Sequence, residues 1–107
     1  MLALQLRGDQ RAQLSAAALG QEWVAAARID IVITAFFQRT TERYGERGDR
    51  YVHMEAGHVS QNIYLQTAAL RLATVTIGAF NDEEVQRVLA LSEQQKPLYI
   101  QPVAYPR

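Results

Sequence analysis

The residues best equipped for chemistry are gathered in one short stretch. "EAGHVSQN", residues 55–62, places Glu55, His58, Ser60, Gln61 and Asn62 together, with His53 just upstream. Histidine and carboxylate side chains are the common metal ligands and proton carriers. A zinc-protease helix needs its histidines at i and i+4, on one face. His53 and His58 stand at i and i+5, about 140° apart around a helix, so they do not share an ion. Ser60 and His58 are two apart and point in different directions, and no G-x-S-x-G elbow occurs. Metal and serine-nucleophile chemistry are therefore both set aside. From the pattern alone, Glu55, His58, Gln61 and Asn62 read as a hydrogen-bonded core network that orders the helix carrying them.

That helix runs from about Asp49 to Leu72. The run holds no proline, and Gly57 is its only glycine. At 100° per residue, Val52, Ala56, Val59, Ile63 and Leu70 fall on one side, and Met54, Leu65, Ala68 and Leu72 roughly opposite. Two apolar arcs predict a helix covered on both sides. Its length, about 33 Å, crosses a small domain.

The flanking elements are shorter. "GDQRAQLSAAALG" predicts a helix with Asp9 as N-cap and Gly20 past its end. "QEWVAAAR" predicts another turn or two, with Trp23 as a core anchor. "RIDIVITAFF" is a continuous apolar strand, as expected of one covered on both faces. The polar "QRTTERYGERGDR" reads as a surface connection with at most one helical turn. "ATVTIGAF" is a second strand candidate. Asn81 caps the helix of "NDEEVQRVLAL", with Glu84 in the capping-box position. "KPLYIQPVAYPR" predicts a final strand, begun by Pro97 and placed at an edge or ended by Pro102. "TIGAFND" is a small-residue turn that would let a ligand approach the backbone, though a plain strand-to-helix turn is the weightier reading.

Composition narrows the class. The 107 residues suffice for one domain; 49% are apolar, 21% charged, and the formal net charge is zero. No bulk charge points to nucleic acid or to a membrane surface. The absence of cysteine excludes disulfides and thiolate chemistry and agrees with a cytoplasmic setting. The apolar run "IVITAFF" is far shorter than the roughly 20 residues of a spanning helix. The fold class expected is mixed α/β (α+β), in which three strands and a doubly buried helix need a covering surface from elsewhere.

The wording of the sequence says more than its periodicity. "RYVHMEAGHVSQNIYLQTAALRLATVTIGAFNDEEVQRVLAL" resembles the C-terminal half of the nitroreductase superfamily, and within it the SagB-type dehydrogenases that include thiazole- and oxazole-forming oxidases. The similarity rests on Arg-Tyr, then Glu-Ala-Gly-His, Gln-Asn, a leucine- and alanine-rich helix, Ile-Gly-Ala-Phe, an acidic helix start and Pro-Leu-Tyr-Ile. The resemblance implies a mixed sheet packed on helices, here a partial fold, with residues 1–107 as one domain. The family's N-terminal half, with its arginine-rich flavin-phosphate motif, has no counterpart in residues 1–28.

It further implies flavin mononucleotide (FMN) as cofactor, held at a subunit interface. The reaction implied is a two-electron oxidation or reduction of a small molecule or a peptide azoline. The partner would be a second copy or a complementary N-terminal half; a non-catalytic binding or regulatory subunit is the alternative. Thr76, Ile77, Gly78 and Ala79 would lie along the flavin ring, and Arg107 would meet its phosphate. Arg50 and Tyr51 match a basic-plus-tyrosine pair near the active site of azole-forming members, many of which carry lysine first. Arginine holds its proton too tightly for a general base, so Tyr51 is the one able to donate or relay a proton. On this resemblance, Glu55, His58, Gln61 and Asn62 order the central helix and the subunit interface.

Overall fold

A computed structural model describes residues 8–106. Five helices and three strands follow in the order α1 (Arg11–Ala17), α2 (Glu22–Ala26), β1 (Ile29–Phe36), α3 (Phe37–Tyr44), α4 (Arg47–Ala69), β2 (Ala73–Thr74), α5 (Asp82–Val88) and β3 (Gln95–Ala104). The strands form one sheet of order β1-β3-β2, with both pairings antiparallel. The expected α/β class is therefore the observed one. Thr76–Ala79 does not continue β2 as a regular strand. It touches the sheet by a single bridge, Ile77 to Ile100.

Alternation along β3 divides the molecule into layers. Ile100 is fully buried and packs with Leu14, Ala17 and Ala18 of the first hairpin, Val24 of α2, Ile77 and Val85. Val32 lies opposite Ile100 and borders the same core. The next residue, Gln101, is equally buried but faces the other way, against α4. A register shift between Ile33 and Thr34 interrupts the β1–β3 ladder, and Gln95 Nε2 donates to Thr34 Oγ1 beside it.

Pro102 is not at an edge. It lies in the central strand opposite Asp30. Residues 100, 102 and 104 direct their backbone groups toward β2 by the antiparallel pattern. In this register Val75 lies opposite Pro102, which has no N–H to give, and the ladder is broken there until Ile77 meets Ile100. The Pro102 carbonyl is served instead by the Thr74 hydroxyl at 2.7 Å. Pro97 likewise stands inside β3, not at its start.

The polar connection after β1 is mostly helix. Gln, Arg and Glu are good helix formers, and α3 spends them for two turns before Gly45 ends it at φ +64°. The chain then turns straight into α4. Gly48 permits the close approach: a Cβ there would lie 3.0 Å from the Thr41 backbone. Edge-on ring pairs, Phe37 with His53 and Tyr44 with Tyr51, extend the α3–α4 contact.

Helix α4 is covered on one side only. Its buried stripe is Gly48, Val52, Ala56, Ser60 and Thr67. Met54, Val59 and Leu65 are exposed, as is Leu70 at its C-cap. The doubly buried helix expected from the two arcs is thus singly buried in this chain: the buried stripe takes only Val52 and Ala56 from the first arc and runs on through Ser60 and Thr67, leaving Val59 and Leu70 of that arc exposed with Met54 and Leu65 of the other. Trp23 is another correction. It is 53% exposed, since the five-residue α2 turns only Val24 inward. Three helices run into left-handed residues that are not glycine: Leu19, Arg71 and Ala90, at φ 60°, 58° and 53°.

Gly48→Ala should destabilise the chain by about 1–3 kcal/mol despite alanine's better helix propensity, because the neighbour it meets is backbone. Urea unfolding followed by circular dichroism measures this, and an unchanged midpoint would contradict the tight α3–α4 approach.

Candidate functional site

The segment Thr76–Ala79 is held from two sides. On the sheet side, Ile77 exchanges hydrogen bonds with Ile100: its N–H donates at 2.8 Å, and its carbonyl accepts at 3.0 Å. On the helix side, the Thr76 N–H donates to Tyr64 Oη at 2.7 Å, and the Thr76 and Ser60 hydroxyls are 2.5 Å apart. Beyond Ile77 the chain is exposed. Gln21 Nε2 donates to the Ala79 carbonyl at 2.9 Å and ties the segment to the first hairpin. The N–H groups of Gly78 and Ala79 have no partner among the described residues. Gly78 carries no side chain over them, and a Cβ there would rest 3.6 Å from the Tyr99 ring.

Two adjacent free donors on an exposed, anchored segment suit a flat ligand with acceptor atoms along one edge. The oxidised isoalloxazine ring has such an edge, so Thr76, Ile77, Gly78 and Ala79 fit the group expected there. Arg107, the expected phosphate partner, lies outside the described residues.

Arg50 and Tyr51 belong to another part of the surface. Arg50 is exposed, and Tyr51 is half-buried against the Tyr44 ring, with centroids 5.4 Å apart. Tyr51 lies two and a half turns before Ser60, about 13 Å along α4. The chain by itself does not bring this pair to Thr76–Ala79. Glu55, His58, Gln61 and Asn62 are exposed and make no side-chain hydrogen bonds among the described residues. They form no core network within this chain.

The buried polar network is a different one, made by Ser60, Tyr64, Thr76 and Gln101. Two signals pointed to it. Ser60 and Tyr64 stand at i and i+4 on one edge of α4, and Gln101 is a lone polar residue between Ile100 and Pro102.

An open groove of about 490 Å³ runs beside β2, with Trp23, Ala27, Val75, Pro102 and Tyr105 among its walls. The Arg28 guanidinium lies over the Tyr105 ring at 5.4 Å. A more polar cleft of about 560 Å³ lies between the end of α5 and the start of β3, at Arg87, Glu93 and Lys96. Neither includes Thr76–Ala79, of which Gly78 and Ala79 lie on open surface.

Asp30 is an unexpected feature of β1. Neither carboxylate oxygen is exposed or hydrogen-bonded among the described residues. Burial pushes its pKa up to about 6, against the pull of the Arg11 guanidinium. Arg11 itself is committed to Asp9, whose carboxyl it holds down at about 2, and to the Ala27 carbonyl.

The architecture is an antiparallel sheet between a small helical core and one long helix, with an exposed anchored segment at its margin. Residues 1–105 match the nitroreductase family. A Methanocaldococcus jannaschii protein that carries a nitroreductase name is 50% identical over 91 residues, which are 85% of this chain and 45% of that protein. A crystal structure bearing a nitroreductase name, from Anabaena variabilis, superposes with a TM-score of 0.86 at 34% identity, over 94% of this chain and 20% of that one. The NADPH:FMN oxidoreductase of Vibrio harveyi, solved with NAD+, shares the fold at a TM-score of 0.76 and 22% identity, over 91% of this chain and 46% of that one. The chain belongs to the nitroreductase family. It spans less than half the length of these relatives.

Asp30→Asn tests the orphaned carboxyl. A carboxyl raised in the folded state keeps its proton when the unfolded chain, titrating near about 4, has released it. Its contribution therefore improves as pH falls below about 6 and is complete near about 4. The asparagine variant should be more stable at pH 7 by about 1 kcal/mol, a value discounted for solvent screening. It should also lose this pH dependence. Thermal melts across pH 4–7 that coincide in shape with the native chain's would refute it.

Proposed function

We propose that this chain is the flavin-contacting part of an FMN-dependent oxidoreductase of the nitroreductase type. The observation that carries the reading is the anchored Thr76–Ala79 segment, with two N–H groups that have no partner among the described residues, in a chain of this family. The relative from Vibrio harveyi is an FMN enzyme by name, which supports the cofactor. When bound, the flavin supplies two-electron transfer. The protein's own share is binding and orientation: Gly78 and Ala79 donate to the acceptor edge, and Ile77 fixes the segment to β3. Arg107 would hold the phosphate. The Glu-Ala-Gly-His motif and the Arg50–Tyr51 pair favour the SagB-type branch, with a small molecule or a peptide azoline as substrate. Tyr51 then donates or relays a proton, and the fixed charge of Arg50 stands beside it.

The site needs a second surface. Met54, Val59, Leu65 and Leu70 lie exposed along α4 and its C-cap, and Tyr51 is remote from Thr76 within one chain. A second copy, or a complementary N-terminal half carrying a phosphate anchor, would cover the helix and complete the site. Residues 1–107 then represent the C-terminal half of the family domain. A second reading is favoured by the short span against the relatives: a split member that serves as a binding or regulatory subunit.

Titration with FMN, alone and with the N-terminal half of a full-length relative, separates the two. Quenched flavin fluorescence and substrate-dependent bleaching of the bound flavin support the enzyme. Uptake without bleaching favours the subunit, and no uptake in either mixture overturns both flavin roles. In the active assembly, Tyr51→Phe should lower turnover roughly 10²-fold with flavin content unchanged. Undiminished turnover would remove Tyr51 from the mechanism.

A further inference from the structure

The hydrogen bonds behind Thr76 have only one consistent direction. Ser60 Oγ lies 3.0 Å from Gln101 Oε1, and Gln101 Nε2 donates to the Ser60 carbonyl at 3.3 Å. An amide oxygen only accepts, so the Ser60 hydroxyl donates to it. A hydroxyl has one proton. The 2.5 Å contact between Ser60 and Thr76 must therefore run the other way, with the Thr76 O–H donating to Ser60 Oγ. The proton of Thr76 is turned inward, and its oxygen offers only lone pairs to anything outside.

Tyr64 has the opposite polarity. Its oxygen accepts the Thr76 N–H at 2.7 Å, and its own proton has no partner among the described residues. Two hydroxyls that flank one residue are thus fixed as an acceptor and a donor. Gln101, with no exposed surface, cannot turn to solvent and release the arrangement.

We propose that Ser60 and Gln101 are positioning residues that set Thr76 as a hydrogen-bond acceptor beside the Tyr64 donor. The pair fits an N–H/C=O edge, such as the imide of the flavin's pyrimidine ring. This deepens the flavin reading of Thr76–Ala79 and rests on it for the ligand. The arrangement of the four side chains does not depend on that reading.

The test uses the full 107-residue chain, with the N-terminal half of a relative added wherever that is needed for uptake. Two quantities are measured for the native chain and for Ser60→Ala, Thr76→Val, Thr76→Ser and Tyr64→Phe. One is amide hydrogen exchange at residues 76–79 without flavin. The other is the affinity for FMN relative to FMN methylated at N3, which lacks the imide N–H.

Tyr64→Phe should speed exchange of the Thr76 amide roughly five- to tenfold, the loss of one ordinary hydrogen bond. The native chain should prefer FMN over the methylated form about tenfold. Thr76→Val should abolish that preference and Thr76→Ser restore it. Ser60→Ala, which frees the Thr76 proton to rotate, should weaken it. A merely structural role for Thr76 would not move a ratio between two ligands.

Native FMN binding without preference for the N–H form overturns the proposal and leaves the flavin site standing. Failure to bind either flavin overturns both the flavin reading and the imide pairing. Exchange that is the same in every variant overturns the positioning role whatever the flavin does.

Discussion

The fold depends on two neighbouring residues of the central strand that are equally buried and chemically opposed. Ile100 faces a small apolar core and meets helices from both ends of the chain. Gln101 faces α4 and bonds Ser60 through both ends of its amide. One side chain supplies hydrophobic burial, which has no preferred direction. The other supplies directed bonds, which fix the angular setting of a long helix that packing alone leaves free to rotate. The sheet can be this narrow because its middle strand serves both layers.

The same strand carries the exposed segment. Ile77 joins Ile100 by a reciprocal pair of backbone bonds, and Thr76 joins the Ser60 network. The segment is irregular, yet it is fastened at consecutive residues to two different layers. An unpaired loop able to present free donors would ordinarily be mobile. Here the rigidity comes from neighbours that are themselves buried, so the donors of Gly78 and Ala79 are available without being loose.

How much of this could be read from the sequence depended on how local each feature is. The position of β1, the length of α4 and the Asn81 cap rest on near neighbours and are as expected, with the Asn81 side chain accepting from the Glu84 N–H at 2.9 Å. The covering of β1 on both faces is not: it is an edge strand whose residues are at most partly buried, and Ile29 is exposed. The family wording, being a string of specific residues, was equally plain. What stayed hidden depends on distant pairing. Nothing beside Pro102 tells that its strand is central, because the proline is tolerated by a break in the ladder between Thr74 and Ile77. The two apolar arcs of α4 do not mark its covered face: the buried stripe shares only Val52 and Ala56 with one of them and is otherwise built of small and polar residues, Gly48, Ser60 and Thr67. The stretch with the richest chemistry by residue type, Glu55 to Asn62, points mostly outward. Ser60 alone within it reaches the network, and its partners Thr76 and Gln101 lie far along the chain.

The bare arc of α4 has a consequence for what "the stability" of this chain means. A helix with one dry side and one wet apolar side gives up hydrophobic free energy to water for as long as it stands alone. Any surface that covers it binds the folded form only, so occupancy adds to the folding free energy by mass action. With such a surface present, a melting temperature would be a property of the sample as much as of the sequence. Where the covering surface is a second copy, as proposed, dilution would act on it as a denaturant does.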